Sequence, residues 1–131
     1  MTLAHEHLNR LIESVELLAA DFDVQRQVLP TFVFVPDEVA LTFDNAMTVI
    51  DQIRDAGLLT DEQIELLSRI NTIFDTMSGP GHESFWTPDS MQHDATWNKI
   101  RTLAKKALHS LDRQARKPDL GWIRYIPSSG T

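Results

Sequence analysis

The chain has 131 residues and carries 19 acidic and 12 basic side chains, which gives a formal net charge of −7 at neutral pH. Hydrophobic residues make up 42% and charged residues 24%, the usage of an ordinary globular domain, which argues against general disorder. Cysteine is absent, so disulfides, thiol nucleophiles and cysteine-ligated metal sites are excluded. The N-terminus lacks a signal-peptide pattern and no apolar run could span a membrane, so we expect a cytoplasmic protein.

The charge is distributed unevenly along the chain. Residues 1–94 carry 17 acids and 4 bases, whereas residues 95–131 carry 2 acids and 8 bases. The simplest interpretation is that the two parts lie against each other and partly neutralise. The alternatives are an acidic surface for a basic partner, or a basic stripe for an anion.

Apolar side chains recur at steps of three and four residues in four segments, a spacing that predicts amphipathic helices. Four main helices are therefore expected, at about 3–20, 37–56, 60–77 and 95–113. Asp21 and Asp23 indicate a break after the first helix and a short helical turn at 24–29. The second and third helices are joined by a short connection, so we expect them to pair as an antiparallel hairpin.

Several residues mark the ends of these helices. Thr60 and Gln63 have the spacing of a capping box, and Asp94 is placed as the N-cap of the last helix. Gly57 fits the position just after the second helix, where a left-handed backbone is common.

The run "TFVFV" at 31–35 is β-branched and aromatic, as strands are, but it is short and alone. We interpret it as an extended connector whose apolar side chains enter the core. The predicted fold is therefore an all-α, single-domain bundle of about four main helices with short connecting helical turns, spanning residues 1–131. The tail at 114–131 is expected to be partly extended and docked, because it carries the apolar residues Trp122, Ile123, Tyr125 and Ile126.

The stretch "MSGPGHESFWTPDSM" at 77–91 differs from the helical patterns on either side of it. Gly79 and Pro80 are typical of the end of a helix, and Thr87 and Pro88 are typical of the beginning of the next. Both edges of the stretch are therefore explained as a joint between helices.

The middle of this stretch has too much apolar area for a simple hinge. We hypothesise that Phe85 turns into the bundle and anchors the stretch, while His82, Glu83 and Trp86 face a groove or a partner. The alternative is that both aromatic rings lie in the core and His82 is only solvated. Asn71 lies inside the apolar arc of the third helix, either as a hydrogen-bonded buried amide or as a fourth binding residue.

No motif for catalysis, metal binding or cofactor binding is found. The sequence contains no Gly-x-Ser-x-Gly motif and no glycine-rich phosphate loop. His5 and His7 point about 200° apart on a helix, so they cannot chelate one ion. The last helix has a basic face, but the net negative charge argues against nucleic acid as a partner. This basic face comprises Lys99, Arg101, Lys105, Lys106, His109 and Arg113.

We therefore expect a small acidic protein that binds another protein, through its acidic surface and the 78–86 loop. Inhibitors and immunity-type proteins share this acidic, cysteine-free helical composition. Two alternatives stay open: a small-molecule-binding or hydrolytic domain with a pocket under the 78–86 loop, and a homo-oligomeric structural protein. An enclosed pocket lined by His82, Trp86 and acids would favour the first alternative, and a large two-fold apolar interface the second.

Overall fold

The computed structural model describes residues 2–112, and within that range the chain forms seven α-helices, one 3₁₀ turn at Glu83–Phe85 and no strand. The predicted all-α class is confirmed. The helices are α1 (Leu3–Ala19), α2 (Phe22–Val28), α3 (Val35–Met47), α4 (Ile50–Asp55), α5 (Asp61–Thr76), α6 (Pro88–His93) and α7 (Ala95–Ser110). The second predicted helix is two helices, because the chain breaks at Thr48 and Val49.

The predicted helix ends are present. The Thr60 hydroxyl accepts the backbone N–H of Gln63 at 3.2 Å, and the Gln63 side-chain oxygen accepts the backbone N–H of Thr60 at 2.9 Å. This capping box satisfies two N–H groups that the first turn of α5 would otherwise leave unpaired. Gly57 adopts a φ of 75°, and its N–H donates to the carbonyl of Arg54 at 2.8 Å, which closes α4.

The helices pack in an order that differs from the predicted hairpin. The central helix α1 contacts α7, α3 and α4, whereas α5 packs mainly against α7. At one end of this pair the Gln63 amide donates to the Ser110 carbonyl at 2.9 Å, and at the other the Phe74 and Trp97 rings meet at 5.7 Å. The prediction that the second and third helices pair is therefore wrong: α5 turns its apolar side to α7 and leaves a gap toward α3.

The connector at 31–35 also differs from expectation. The chain turns there, with the Val33 N–H bound to the Pro30 carbonyl at 3.3 Å, and enters α3 at Val35. Both valines pack partly against the core, as predicted. Phe32 and Phe34 are each 50% exposed, so for them the prediction of burial is wrong. In an extended segment, successive side chains point to opposite faces, so alternate residues can be buried together. Because the chain turns here, Phe32 and Phe34 do not share a buried face.

The stretch between α5 and α6 is held by two tryptophans. Phe85 is 2% exposed and stacks on Trp97 with ring centroids 4.6 Å apart, and the Trp97 indole N–H donates to the Phe85 carbonyl at 2.8 Å. The indole N–H of Trp86 donates to the Met77 carbonyl, also at 2.8 Å. The prediction that Phe85 turns into the bundle is confirmed, and these contacts connect the stretch to α7 and to the end of α5.

The lysines on the basic face of α7 form no direct ion pairs within the described range, although α7 packs against α1 and α5 of the acidic part of the chain. Lys99, Lys105 and Lys106 are exposed and form no ion pair with any residue between 2 and 112. Arg101 has a different role, since its guanidinium donates to the carbonyls of Ala20 at 3.2 Å and Met91 at 3.0 Å. It thereby ties α7 to the end of α1 and to α6.

None of the helices found between residues 2 and 112 combines the length and apolar content that crossing a membrane requires. The predicted docking of the tail at 114–131 and the end of the predicted helix 95–113 lie outside the described residues.

Candidate functional site

An open groove of about 510 Å³ lies between α3 and the C-terminal half of α5. It combines three carboxylates with apolar and aromatic side chains, and we call it the acidic groove. Its lining residues are Asp37, Ala40, Leu41, Asp44, Asn71, Phe74, Asp75, Ser78, Gly79 and Trp86.

The α3 wall of the groove follows from the helical period. Val39 and Phe43 are fully buried, so they fix which side of α3 faces the core. Asp37, Leu41 and Asp44 are spaced by four and three residues and therefore share another side, which faces the groove. Leu41 is 51% exposed there. The carboxylates of Asp37 and Asp44 lie about one helical turn before it and one turn after it.

The floor of the groove is aromatic and fixed in place. The rings of Phe74 and Trp86 stack, with their centroids 5.9 Å apart and an angle of 27° between their planes. The ring centroids of Phe43, on α3, and Phe74 lie 6.3 Å apart. The hydrogen bond from the Trp86 indole to the Met77 carbonyl sets the orientation of the indole. Ring packing and this hydrogen bond therefore position the aromatic floor of the groove.

The α5 wall supplies polar groups. Asp75 is exposed, and half-buried Asn71 has no side-chain hydrogen bond to any residue between 2 and 112. The amide is therefore free to donate to and accept from a ligand. The Ser78 hydroxyl is already used, because it donates to the Phe74 carbonyl at 2.8 Å.

The structure brings together two of the four residues predicted to bind. Asn71 and Trp86 both line the acidic groove, whereas His82 and Glu83 do not. The Glu83 carboxylate instead accepts the Gly81 N–H at 3.1 Å. Hydrogen bonds from its own backbone N–H and from that of Gly81, with the nearby His82, hold the pKa of the Glu83 carboxyl below its ordinary value. Glu83 therefore acts within the joint itself.

The sequence analysis missed the acidic residues of the groove and Leu41. A signal for them exists in the sequence: Leu41 lies off the apolar stripe of Val39 and Phe43, with an acid four residues before it and another three residues after it. Such an isolated apolar residue within an acidic stripe indicates a surface rather than a core position. The wall formed by Asp75 could not be found this way, because it depends on which helices pack together.

Two other cavities have lining of mixed charge. One of about 280 Å³ lies between α1 and α3 and is lined by Arg10 and Glu38 together with small and polar side chains. Another of about 500 Å³ lies between α5 and α7, where Glu65 and Arg69 pair at 2.9 Å beside Lys99. Neither has the single sign of charge and the aromatic floor that distinguish the acidic groove.

Residues 2–112 contain no group of three or more metal-ligating side chains that could hold an ion. Neither a protein-family model, nor a curated protein, nor a solved structure matches the chain. Function is therefore inferred from the geometry and charge of the groove.

Proposed function

We propose that this protein binds a segment of another protein in the acidic groove and acts by binding rather than by catalysis. The observation that carries the proposal is the combination of three carboxylates with a fixed aromatic floor in an open groove. We also propose that the protein acts in the cytoplasm, since the absence of cysteine fits a reducing compartment.

The exposed apolar surface supports a macromolecular partner. Residues 2–112 have four large hydrophobic side chains that are markedly exposed, and two of them, Phe34 and Leu41, lie at the start and on the outer side of α3. Exposed apolar groups next to a polar rim are typical of protein-binding surfaces. A small molecule would gain more from an enclosed pocket than from an open groove of this kind.

The chemistry of the lining supports binding over hydrolysis. Among residues 2–112, no histidine lines the acidic groove, and the hydroxyl of Ser78 donates to a backbone carbonyl and not to a general base. A serine nucleophile needs a base within hydrogen-bond reach that can take its proton. In this proposal the carboxylates and the Asn71 amide recognise a ligand.

The proposal is tested by affinity capture from a lysate of the source cells with three forms of the protein. They are the wild type, a groove variant with Asp44→Asn and Asp75→Asn, and a control variant with Asp51→Asn and Asp55→Asn. The control changes the charge equally, on α4, where both carboxylates are more than three-quarters exposed and, among residues 2–112, pair only with Arg54.

We expect one protein to be captured by the wild type and the control but lost with the groove variant, and to bind again when purified. Asp44 and Asp75 are exposed, and the exposed ion pairs on α4 contribute little stability, so both variants should fold. Equal capture by all three forms would show that the groove is not the binding surface.

A further inference from the structure

We infer that the segment bound in the acidic groove is a basic amphipathic α-helix of the partner protein. This inference rests on the proposed function and specifies the chemistry of the partner.

The shape of the groove fits a helix. Its walls are two helices, and along α3 it extends at least from Asp37 to Asp44. Seven residues at 1.5 Å each give about 10 Å, or roughly two helical turns. A helix of two to three turns can lie in such a groove with one apolar side toward the floor, which is a recurring mode of peptide recognition.

An extended segment would be a poorer occupant. Residues 2–112 contain no strand, so no sheet edge is present there to pair with the backbone of an added strand. The backbone N–H and C=O groups of an extended peptide would lose water on entering the groove without gaining partners. A helix satisfies these groups internally and presents only side chains.

The charges on the walls define the polar flanks of that helix. Asp37 and Asp44 stand on one wall and Asp75 on the other, so cationic side chains are favoured on both sides of the apolar stripe. Asp37 and Asp44 are seven residues apart on α3, and both helices rise by about 1.5 Å per residue. A bound helix that runs parallel or antiparallel to α3 would therefore pair with these two carboxylates through basic residues that are also seven positions apart. The excess of 17 acids over 4 bases in residues 1–94 adds longer-range attraction for a basic segment.

The apolar residues of the groove define the other side of the helix. Leu41 is half-exposed on the wall, and the Trp86 ring, held by its hydrogen bond to Met77, forms the floor with Phe74. Together they offer a site for one or two aliphatic anchors.

The inference is tested with two fluorescent 15-residue peptides of leucine and lysine that have the same composition. In one, the leucines recur at three- and four-residue steps, so the peptide forms an amphipathic helix. In the other, leucine and lysine alternate, so only a strand would be amphipathic. Binding is measured by fluorescence anisotropy at 0.15 M salt with the wild type, the groove variant, the control variant and Leu41→Ala.

We expect the helical peptide to bind the wild type at least tenfold more tightly than the alternating peptide. The groove variant and Leu41→Ala should each weaken binding about fivefold to tenfold, and the control variant less than twofold. Equal binding of the two peptides, or equal weakening by the two charge variants, would overturn the inference. If capture from lysate depends on the groove while the helical peptide does not, the helix assignment alone fails; if neither depends on the groove, the proposed function fails as well.

Discussion

Replacement of Phe85 by alanine removes the ring that anchors the joint between α5 and α6. The ring is 2% exposed and stacks on Trp97 at 4.6 Å with an angle of 5° between the planes. Truncation of a buried phenylalanine costs about 3–5 kcal/mol from lost burial and the cavity left behind. The stacked pair adds about 0.5–1.5 kcal/mol to simple burial, so we expect a loss in the upper half of that range.

The matched control is Phe34→Ala, the same truncation at a side chain that is 50% exposed. About half of a full burial energy of 1.5–3 kcal/mol is lost there, so roughly 1 kcal/mol is expected. Both variants are compared with the wild type by urea denaturation, followed by circular dichroism and by tryptophan fluorescence. If Phe85→Ala and Phe34→Ala lower the free energy of unfolding equally, Phe85 does not anchor the joint.

Four further predictions concern stability, pH and nucleic acid. Leu67→Ala should destabilise by about 2–5 kcal/mol in urea denaturation, since Leu67 is fully buried; a loss under about 0.5 kcal/mol would contradict the placement of α5 in the core. Arg101→Met should cost about 1–3 kcal/mol, because two helix-end carbonyls lose their donor, whereas Lys105→Met should change stability by less than about 0.5 kcal/mol. Hydrogen bonds to backbone N–H groups lower the pKa of the Glu83 carboxyl, so its contribution to the joint is present above the ordinary carboxyl pKa and is lost as the pH falls through the lower folded value; the Gly81 amide shift in an NMR titration of the folded protein should have a midpoint below the midpoint of Glu83 in the urea-unfolded chain, and a midpoint at or above that of the unfolded chain would contradict the hydrogen bond. Finally, duplex DNA should give no micromolar gel shift at physiological salt, because the excess of acid repels phosphate despite the exposed lysines of α7.

Most of the helical segments and several of their ends could be predicted from the sequence because they depend on local chemistry, whereas the break at Thr48 and Val49 was missed. The capping box of Thr60 and Gln63, the left-handed Gly57 and the N-cap Asp94 each act within a few residues of their position. The burial of Phe85 could also be predicted, because a large aromatic ring in a short polar stretch is most stable when it packs in the core.

The pairing of the helices could not be predicted in the same way. A short connection favours an antiparallel hairpin, but α5 has apolar residues over a wide arc and packs on α7 instead. The acidic groove is the gap between α3 and α5, and it exists because α5 packs on α7. Asn71 and Trp86 were singled out from the sequence for their own properties, while Asp75 joins them only through tertiary packing.

The claim that the acidic groove is the binding surface is tested most directly by NMR at the Trp86 indole. Its N–H is fixed by the hydrogen bond to the Met77 carbonyl, so a ligand on the ring should shift this one cross-peak. We predict that adding the captured and purified partner to ¹⁵N-labelled protein shifts the Trp86 indole signal and the amides of Leu41 and Asp75, and leaves the amides around Lys105 on the basic face of α7 in place. Shifts centred on α7, with an unchanged Trp86 indole signal, would contradict the account.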